Sequence, residues 1–371
     1  MGAARSDRRL FIGLMSGTSL DGVDAALVDF SGEAPLTLAT HFAPFDPSLR
    51  AELSALQSSG PDELQRSALA SIGLAGAYAS AVDALLGEAR MDAASVEAIG
   101  VHGQTVRHRP ELGFTVQLNN PALLAELSGI TVIADFRSRD IAAGGQGAPL
   151  VPAFHHAVFG APDRDRIVVN VGGIANISHL PAGGGVTGFD TGPGNALMDL
   201  WINRNRSLAY DASGDWAASG TVIPELLARF LAEPYFLRTP PKSTGRDLFH
   251  AGWLDAHLTG GDKAEDVQAT LCALTARTIT NAIADFAESN RPVEGFICGG
   301  GAHNAFLAKM LSEYAPQYAW RPTDNLGVPA DWVEAVAFAW LAYQLMERKP
   351  ANSPLVTGAK GPRLLGAIYP A

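Results

Sequence analysis

A short apolar strand, a glycine-bearing polar turn and a second apolar strand occur twice in this chain, and that repetition constrains its fold more than any other feature. The first copy runs from Leu10 to Met15, turns through Ser16-Gly17-Thr18-Ser19-Leu20-Asp21-Gly22 and resumes from Val23 to Phe30. The second runs Ile167-Val168-Val169-Asn170-Val171, turns at Gly172-Gly173 and resumes as Ile174-Ala175-Asn176-Ile177-Ser178. Apolar runs of this length on either side of a glycine turn read as β-hairpins. Phe11 and Ile167 lie 156 residues apart (167 − 11) in a chain of 371. No short-period solenoid has that spacing. It suits one domain plan used twice, each copy opening with a hairpin, although two unrelated hairpins would look the same.

Helical spacing fills the intervals. Glu63 to Leu86 and Val267 to Phe286 repeat apolar residues at helical period, and Asp331 can cap a helix running to about Arg348 that is apolar nearly all round and therefore expected to be buried. Strands alternating with such helices indicate an α/β protein. A third glycine cluster, Gly299-Gly300-Gly301, follows the apolar Val293 to Cys298 and precedes a helical pattern that runs to Met310. Strand, glycine turn and helix start form a geometry in which a phosphate or nucleotide can lie against the backbone, because only glycine leaves the room.

Composition narrows the function. Apolar residues make up 47% and charged residues 18%, enough for a sizeable core and against wholesale disorder. Lys and Arg number 27 against 38 Asp and Glu, a net charge of −11, so no basic face for nucleic acid is expected. An anionic ligand must be held locally, by backbone N–H groups, a metal or a few placed cations. Two cysteines, Cys272 and Cys298, cannot build a disulfide framework, and a reducing cytoplasmic setting is expected. No uninterrupted apolar run reaches the roughly 18 residues of a membrane span, so no membrane partner is expected.

Several segments carry groups suited to chemistry. The first hairpin tip, Ser16 to Asp24, offers three hydroxyls, two glycines and the carboxylates of Asp21 and Asp24, a set that suits phosphate oxygens and a nearby Mg²⁺. A plain polar turn has the same composition. Phe189-Asp190-Thr191-Gly192-Pro193-Gly194-Asn195 places an acid where a strand is expected to end, with a helix starting at Asn195. A carboxylate fixed at a strand end is a good general base, and an Asp that merely caps the turn is the alternative. His102-Gly103-Gln104-Thr105 and Asp135 to Asp140, followed by Gly144-Gly145-Gln146-Gly147, are polar, glycine-punctuated loops that fit a hydroxyl-rich ligand. Gly183 to Gly188 matches the dinucleotide fingerprint letter for letter, yet it lies in an expected hairpin loop with no helix after it. Pro241-Lys242-Ser243-Thr244-Gly245 lacks the upstream glycines of a P-loop.

Taken together, the chain resembles the anhydro-N-acetylmuramic acid kinases, of the superfamily that includes sugar kinases, acetate kinase, heat-shock-type chaperones and actin. The resemblance rests on Phe11 to Asp24, His102 to Thr105, Asp135-Phe136-Arg137, Gly144 to His156, Asn170 to Asn176, Asp190 to Asn195, Pro241 to Arg246, Asp266 to Leu271, Cys298 to Gly301, Glu334 to Trp340 and Leu365 to Tyr369. These segments span nearly the whole length in family order. Ser138 stands where a third consecutive arginine would be expected, with Arg137 and Arg139 in place.

The resemblance implies two ribonuclease-H-like α/β domains with ATP in the cleft between them: residues 1–140 joined by 350–371, and residues 141–349. It implies an enzyme that uses ATP, Mg²⁺ and water to convert 1,6-anhydro-N-acetylmuramic acid into N-acetylmuramic acid 6-phosphate in cytoplasmic cell-wall recycling; it leaves a homodimer open. Carried over, Gly17, Thr18, Ser19, Leu20, Asp21, Gly22, Val23 and Asp24 take the ATP phosphates, with Asp21 toward the metal. Gly172, Gly173, Gly299, Gly300 and Gly301 also bind nucleotide, Asp190 is the catalytic base, and His102, Arg139 and Glu334 line the sugar site. Glu334 also reads as the partner of Asp331 in a capping box. An ordinary sugar kinase, an ATP-switched binding protein and a silent scaffold are the rival readings.

Overall fold

Leu10–Met15 is apolar at nearly every position, and a strand without polar alternation must be covered on both faces. In the computed structural model of the chain, which describes residues 8–17, 19–240, 242–284, 286 and 293–371, this segment is β1 at the centre of a six-stranded sheet. The same sheet holds β2 (Gly22–Asp29), β3 (Leu36–Pro44), β4 (Val96–Val101), β7 (Val132–Ala134) and a C-terminal strand, Ala367–Tyr369. Between β4 and β7 the chain makes a separate ribbon of β5 (Gln104–Arg109) and β6 (Phe114–Leu118). The order is C-terminal strand, β7, β4, β1, β2, β3, with β1–β2–β3 antiparallel and β4 and β7 parallel to β1.

The second sheet is built from β8 (Asp165–Val171), β9 (Ile174–Leu180), β10 (Thr187–Pro193), β11 (Val293–Cys298) and β12 (Ala319–Pro322), in the order β10-β9-β8-β11-β12. Here too an antiparallel meander opens the unit and two parallel strands extend it beyond the first strand. Both units therefore have the ribonuclease-H-like plan, and the two hairpins that stand out in the sequence are its first two strands in each. The loop containing Gly183 to Gly185 joins β9 to β10, so the fingerprint-like run opens no helix.

The division of the chain differs from the expected boundaries at 140 and 349. The first unit runs to Val158 and resumes at Trp332, and the second is Phe159–Asp331. The later boundary moves because the helix Val333–Met346 lies on the first sheet across two glycines paired in register, Gly13 of β1 and Gly100 of β4. A Cβ placed on Gly13 would lie 1.8 Å from Ala335 O, and one on Gly100 2.1 Å from Phe338 O. Bare backbone at these two positions lets the helix settle directly onto the strands. Phe11 on the same face meets Tyr343 edge-on, with ring centroids 5.5 Å apart. The opposite face, with Leu10, Ile12 and Leu14, is buried in one core with Leu74, Tyr78 and Val82 of the helix Glu63–Ala89. That helix is long and apolar enough by length and composition to cross a membrane, and half of its most apolar stretch is buried. In the second unit Ile167, Val169, Ile177 and Phe189 share a core with Leu271, Ile279 and Ile283 of the helix Ala264–Ala284.

A testable consequence concerns Gly100. Gly100→Val forces a branched side chain into the helix backbone, which cannot yield as a side chain can, so a loss of about 3 kcal/mol or more is expected. Thermal unfolding of the variant measures it, and an unchanged Tm would show that the helix is not seated through this glycine.

Candidate active site

Adjacent parallel strands bring their ends together, so the tip after β1 and the loop after β4 meet. Gln104 Nε2 donates to Gly17 O at 3.1 Å, Ser16 Oγ donates to Gly103 O at 3.3 Å, and Ser16 Oγ lies 2.7 Å from Tyr78 Oη. The tip is thus pinned from below. Leu20 adopts the left-handed conformation at φ 58° and donates its N–H to Gly17 O at 3.3 Å. Leu20 and Val23 are buried in the core, so only their backbone can serve a ligand. The two glycines differ: a Cβ on Gly22 would strike Ala43 O at 2.3 Å, whereas one on Gly17 would meet only Ser19 Oγ at 3.6 Å and its N at 4.0 Å. Gly22 serves the fold, and Gly17 faces open space. Asp21 is exposed and its Oδ1 accepts from Ser19 Oγ at 2.6 Å and from Gly22 N at 3.1 Å; Asp24 is half-buried on β2. Thr18 lies outside the described residues.

Beside this tip, His102 Nε2 accepts from Arg137 Nη2 at 2.8 Å and from Arg137 Nε at 3.2 Å, and Arg137 Nη1 donates to Gly147 O at 2.8 Å. Burial and the adjacent guanidinium hold His102 down at about 3, so it stays neutral and its Nε2 acts as an acceptor. Burial also lowers Arg137 to about 10, opposed by the charges of Glu334 and Asp140, and burial raises Glu334, opposed by Arg137. His102, Arg137 and Glu334 therefore form one electrostatic cluster. Arg139, assigned to the sugar by resemblance, sits two residues on, exposed on the short helix Ser138–Ala142. Asp331 does not pair with Glu334 as a cap: its Oδ2 lies 2.7 Å from His303 Nε2, and the helix at Val333 has no side-chain cap.

In the second unit the three glycine-bearing segments converge at the end of β8. Gly194, Asn195 and Ala196 donate their N–H groups to the carbonyls of Gly173, Gly172 and Gly173 at 2.9, 2.8 and 3.1 Å. Asn195 Nδ2 donates to Val171 O at 3.0 Å. From the other side Gly299, at φ 75°, approaches so closely that a Cβ there would lie 2.4 Å from Asn170 Oδ1, and one on Gly301 would lie 2.4 Å from Val171 Cγ1. The expected strand, glycine turn and helix start are present as β11, Gly299 and the helix Ala305–Tyr314 capped by Asn304.

Asp190 lies within β10 rather than at its end, at a β-bulge where the pairing with β9 shifts between Asp190 and Gly192. A bulge of this kind re-aims a side chain. Three contacts hold the residue: Thr244 N donates to Asp190 Oδ2 at 3.0 Å, Asp190 N donates to Lys242 O at 3.3 Å, and Tyr235 Oη donates to Asp190 O at 2.6 Å. Burial raises the carboxyl to about 6, with the Thr244 N–H opposing. Such a group can take a proton near neutral pH, which an ordinary aspartate does poorly. Asp199, which sequence reasoning passed over, rises to about 7 through burial, with Arg246 lowering it and Asp211 raising it. Its polar position on the helix Ala196–Arg206 gave no signal beyond an acid in a first turn.

Two ribonuclease-H-like units, one with an open glycine tip and one with a glycine convergence and a carboxyl raised by burial, suit a phosphotransferase of the sugar-kinase type. The sequence profile of the anhydro-N-acetylmuramic acid kinases matches residues 9–371. Among curated relatives of that name, one from Nitrosomonas europaea is 54% identical over 97% of this chain and 99% of its own. One from Cupriavidus metallidurans is 55% identical over the full length of both, and one from Bordetella petrii is 58% identical over 98% and 97%. The chain belongs to the anhydro-N-acetylmuramic acid kinase family and is an enzyme, a kinase.

Proposed function

We propose that this kinase opens 1,6-anhydro-N-acetylmuramic acid with water and phosphorylates O6 from ATP, giving N-acetylmuramic acid 6-phosphate for peptidoglycan recycling, with Asp190 as the base. The observation that carries the assignment of the base is the Asp190 carboxyl, held by the Thr244 N–H and raised to about 6. Asp190 takes a proton from water as the water oxygen bonds to the anomeric carbon. The C1–O6 bond breaks, and O6, which would leave poorly as an alkoxide, bonds instead to the γ-phosphorus as ADP departs. Family membership supports the substrate, because the relatives carry the name of that sugar. Gly17 and its neighbours offer backbone to phosphate; His102 and Glu334 offer an acceptor and an acid to the sugar, and Arg139 an exposed cation. Gly172, Gly173 and Gly300 leave backbone bare for the nucleotide, and Gly299 and Gly301 let their turn pack closely against the end of β8 beside it.

Mg²⁺ fits this donor set. It is commonly bound through one or two carboxylates together with substrate phosphates and waters. Asp21 is an exposed carboxylate at the tip, and no group of three or more His, Cys, Asp or Glu forms a protein cage among the described residues. Held by Asp21 and the phosphates, the ion would neutralise charge on the terminal phosphates.

Isotope labelling tests the reaction. In ¹⁸O-water the label is expected in the new carbon-1 hydroxyl and not between O6 and phosphorus, at early times and above a no-enzyme control with N-acetylmuramic acid. Label confined to inorganic phosphate, or absent from carbon 1, rejects the coupled reaction in favour of an ATPase or an ordinary sugar kinase.

A further inference from the structure

The segment Lys242–Arg246 reaches two parts of the second unit at once. Its Lys242 carbonyl and Thr244 N–H both bond to Asp190, at 3.3 and 3.0 Å, which fixes the segment against β10. Two residues on, the Arg246 guanidinium lies over the Gly172–Gly173 turn: a Cβ placed on Gly173 would be 3.5 Å from its Nη2 and 3.7 Å from its Nε. The carbonyls of that turn are already taken by the N–H groups of Gly194, Asn195 and Ala196, so the turn is a fixed platform.

The neighbouring cation is committed to the fold. Lys242 Nζ donates to Phe236 O at 3.3 Å and lies 5.0 Å from the Tyr235 ring centroid and 5.5 Å from that of Phe189. Arg246 is exposed, and among the described residues its guanidinium makes no ion pair and no hydrogen bond. The Asp199 carboxyl feels its charge from the side of the helix Ala196–Arg206. A guanidinium lying over bare glycine backbone, with its donors uncommitted, is suited to a phosphate, which can accept two parallel hydrogen bonds from its fork. In a chain of net charge −11, a cation at such a position is one of the few local means of holding an anionic ligand.

We infer that Arg246 pairs with the terminal phosphates of the bound nucleotide over the Gly172–Gly173 turn, an inference that rests on the ATP-dependent reading above. One short segment then serves both halves of the reaction, with Thr244 orienting the base and Arg246 neutralising the group being transferred.

The full chain and its Arg246→Gln and Arg246→Lys variants are titrated calorimetrically with AMP and with a non-hydrolysable ATP analogue, and kcat and KM for ATP are measured with the anhydro sugar. Arg246→Gln is expected to bind the triphosphate analogue about 10- to 100-fold more weakly, as befits loss of a charge-assisted pair, with AMP binding unchanged and lysine restoring part of the loss. An analogue affinity within twofold of the parent, or equal losses for AMP and the analogue, overturns the inference and leaves the reaction standing. A parent chain that binds no analogue and consumes no ATP with the anhydro sugar overturns both.

Discussion

Asp190→Asn is expected to fold, to bind nucleotide and sugar, and to lose turnover by at least about a hundredfold, the lower range for removing a general base. Asparagine keeps the shape, and its Oδ1 can still accept the Thr244 N–H that meets Asp190 Oδ2 at 3.0 Å, so the bulge in β10 should survive. The stability of the variant sharpens the test. The folded-state pKa of about 6 lies above the ordinary aspartate value of 3.8, so the native protein favours the protonated acid. Its stabilising contribution is present in acid and is lost as pH rises through about 6, where a buried carboxylate must ionise. At pH 8 the asparagine variant is therefore expected to be more stable than the parent by roughly 1–3 kcal/mol, and the gap should close below pH 4. In the parent, kcat/KM should fall as pH drops below about 6, where the base becomes protonated. Loss of activity with gain of stability is the mark of a catalytic base whose buried charge costs the fold stability. Near-parental turnover in a folded variant would make Asp190 a turn residue and nothing more.

Much of the architecture was legible because it depends on local pattern. The hairpins at Leu10 and Ile167 are apolar runs around glycine, and they became the first two strands of each unit. The boundary of the first unit was not legible, because it depends on where the helix Val333–Met346 docks. Gly13 and Gly100 admit that helix, yet in sequence they are two glycines inside apolar strands, and only their register opposite each other gives them meaning. The end of β10 escapes the sequence pattern for a related reason. A glycine-rich run after Asp190 looks like a turn, while pairing with β9 continues through the bulge to Pro193.

The site divides along the same line. Asp190 and the three glycine-bearing segments are visible as motifs, because each sits where an apolar strand gives way to glycine, although ordinary turns share that composition. Which arginine of Asp135 to Asp140 serves His102 is a question of direction. Arg137 follows Asp135, whose left-handed φ of 59° turns the chain, and its guanidinium returns to His102, whereas Arg139 points to solvent from a short helix. Asp140, next in sequence to Arg139, is buried and accepts from Gly147 N, Asn352 Nδ2 and Thr357 Oγ1 at 2.8, 2.7 and 2.8 Å. It binds the glycine loop to the C-terminal segment, a contact across more than two hundred residues that no local pattern encodes.

Removing the guanidinium of Arg137 is expected to destabilise the chain in a pH-dependent way. Arg137→Met leaves the Gly147 carbonyl and His102 Nε2 without the donors they now have at 2.8 Å, and takes away the cation that offsets burial of Glu334. Arg137 and Glu334 are half-buried, so losing these charge-assisted hydrogen bonds costs about 2–3 kcal/mol. The cost should depend on pH in a definite direction. Glu334 is raised by burial and lowered by Arg137, so without the arginine its pKa climbs further; the penalty is full where it would be ionised and vanishes once it is protonated. His102 is held at about 3 in the parent, below its ordinary 6.5, so the parent loses stability as pH falls below 6.5 and the unfolded chain takes up the proton. The variant lacks one of the two causes of that depression and loses less. Both groups act in the same sense, and the deficit of Arg137→Met should be largest near pH 8 and shrink toward pH 5. Thermal unfolding at the two pH values measures it. A deficit that is the same at both, or absent at both, would mean that Arg137 fills space beside His102 without governing its charge.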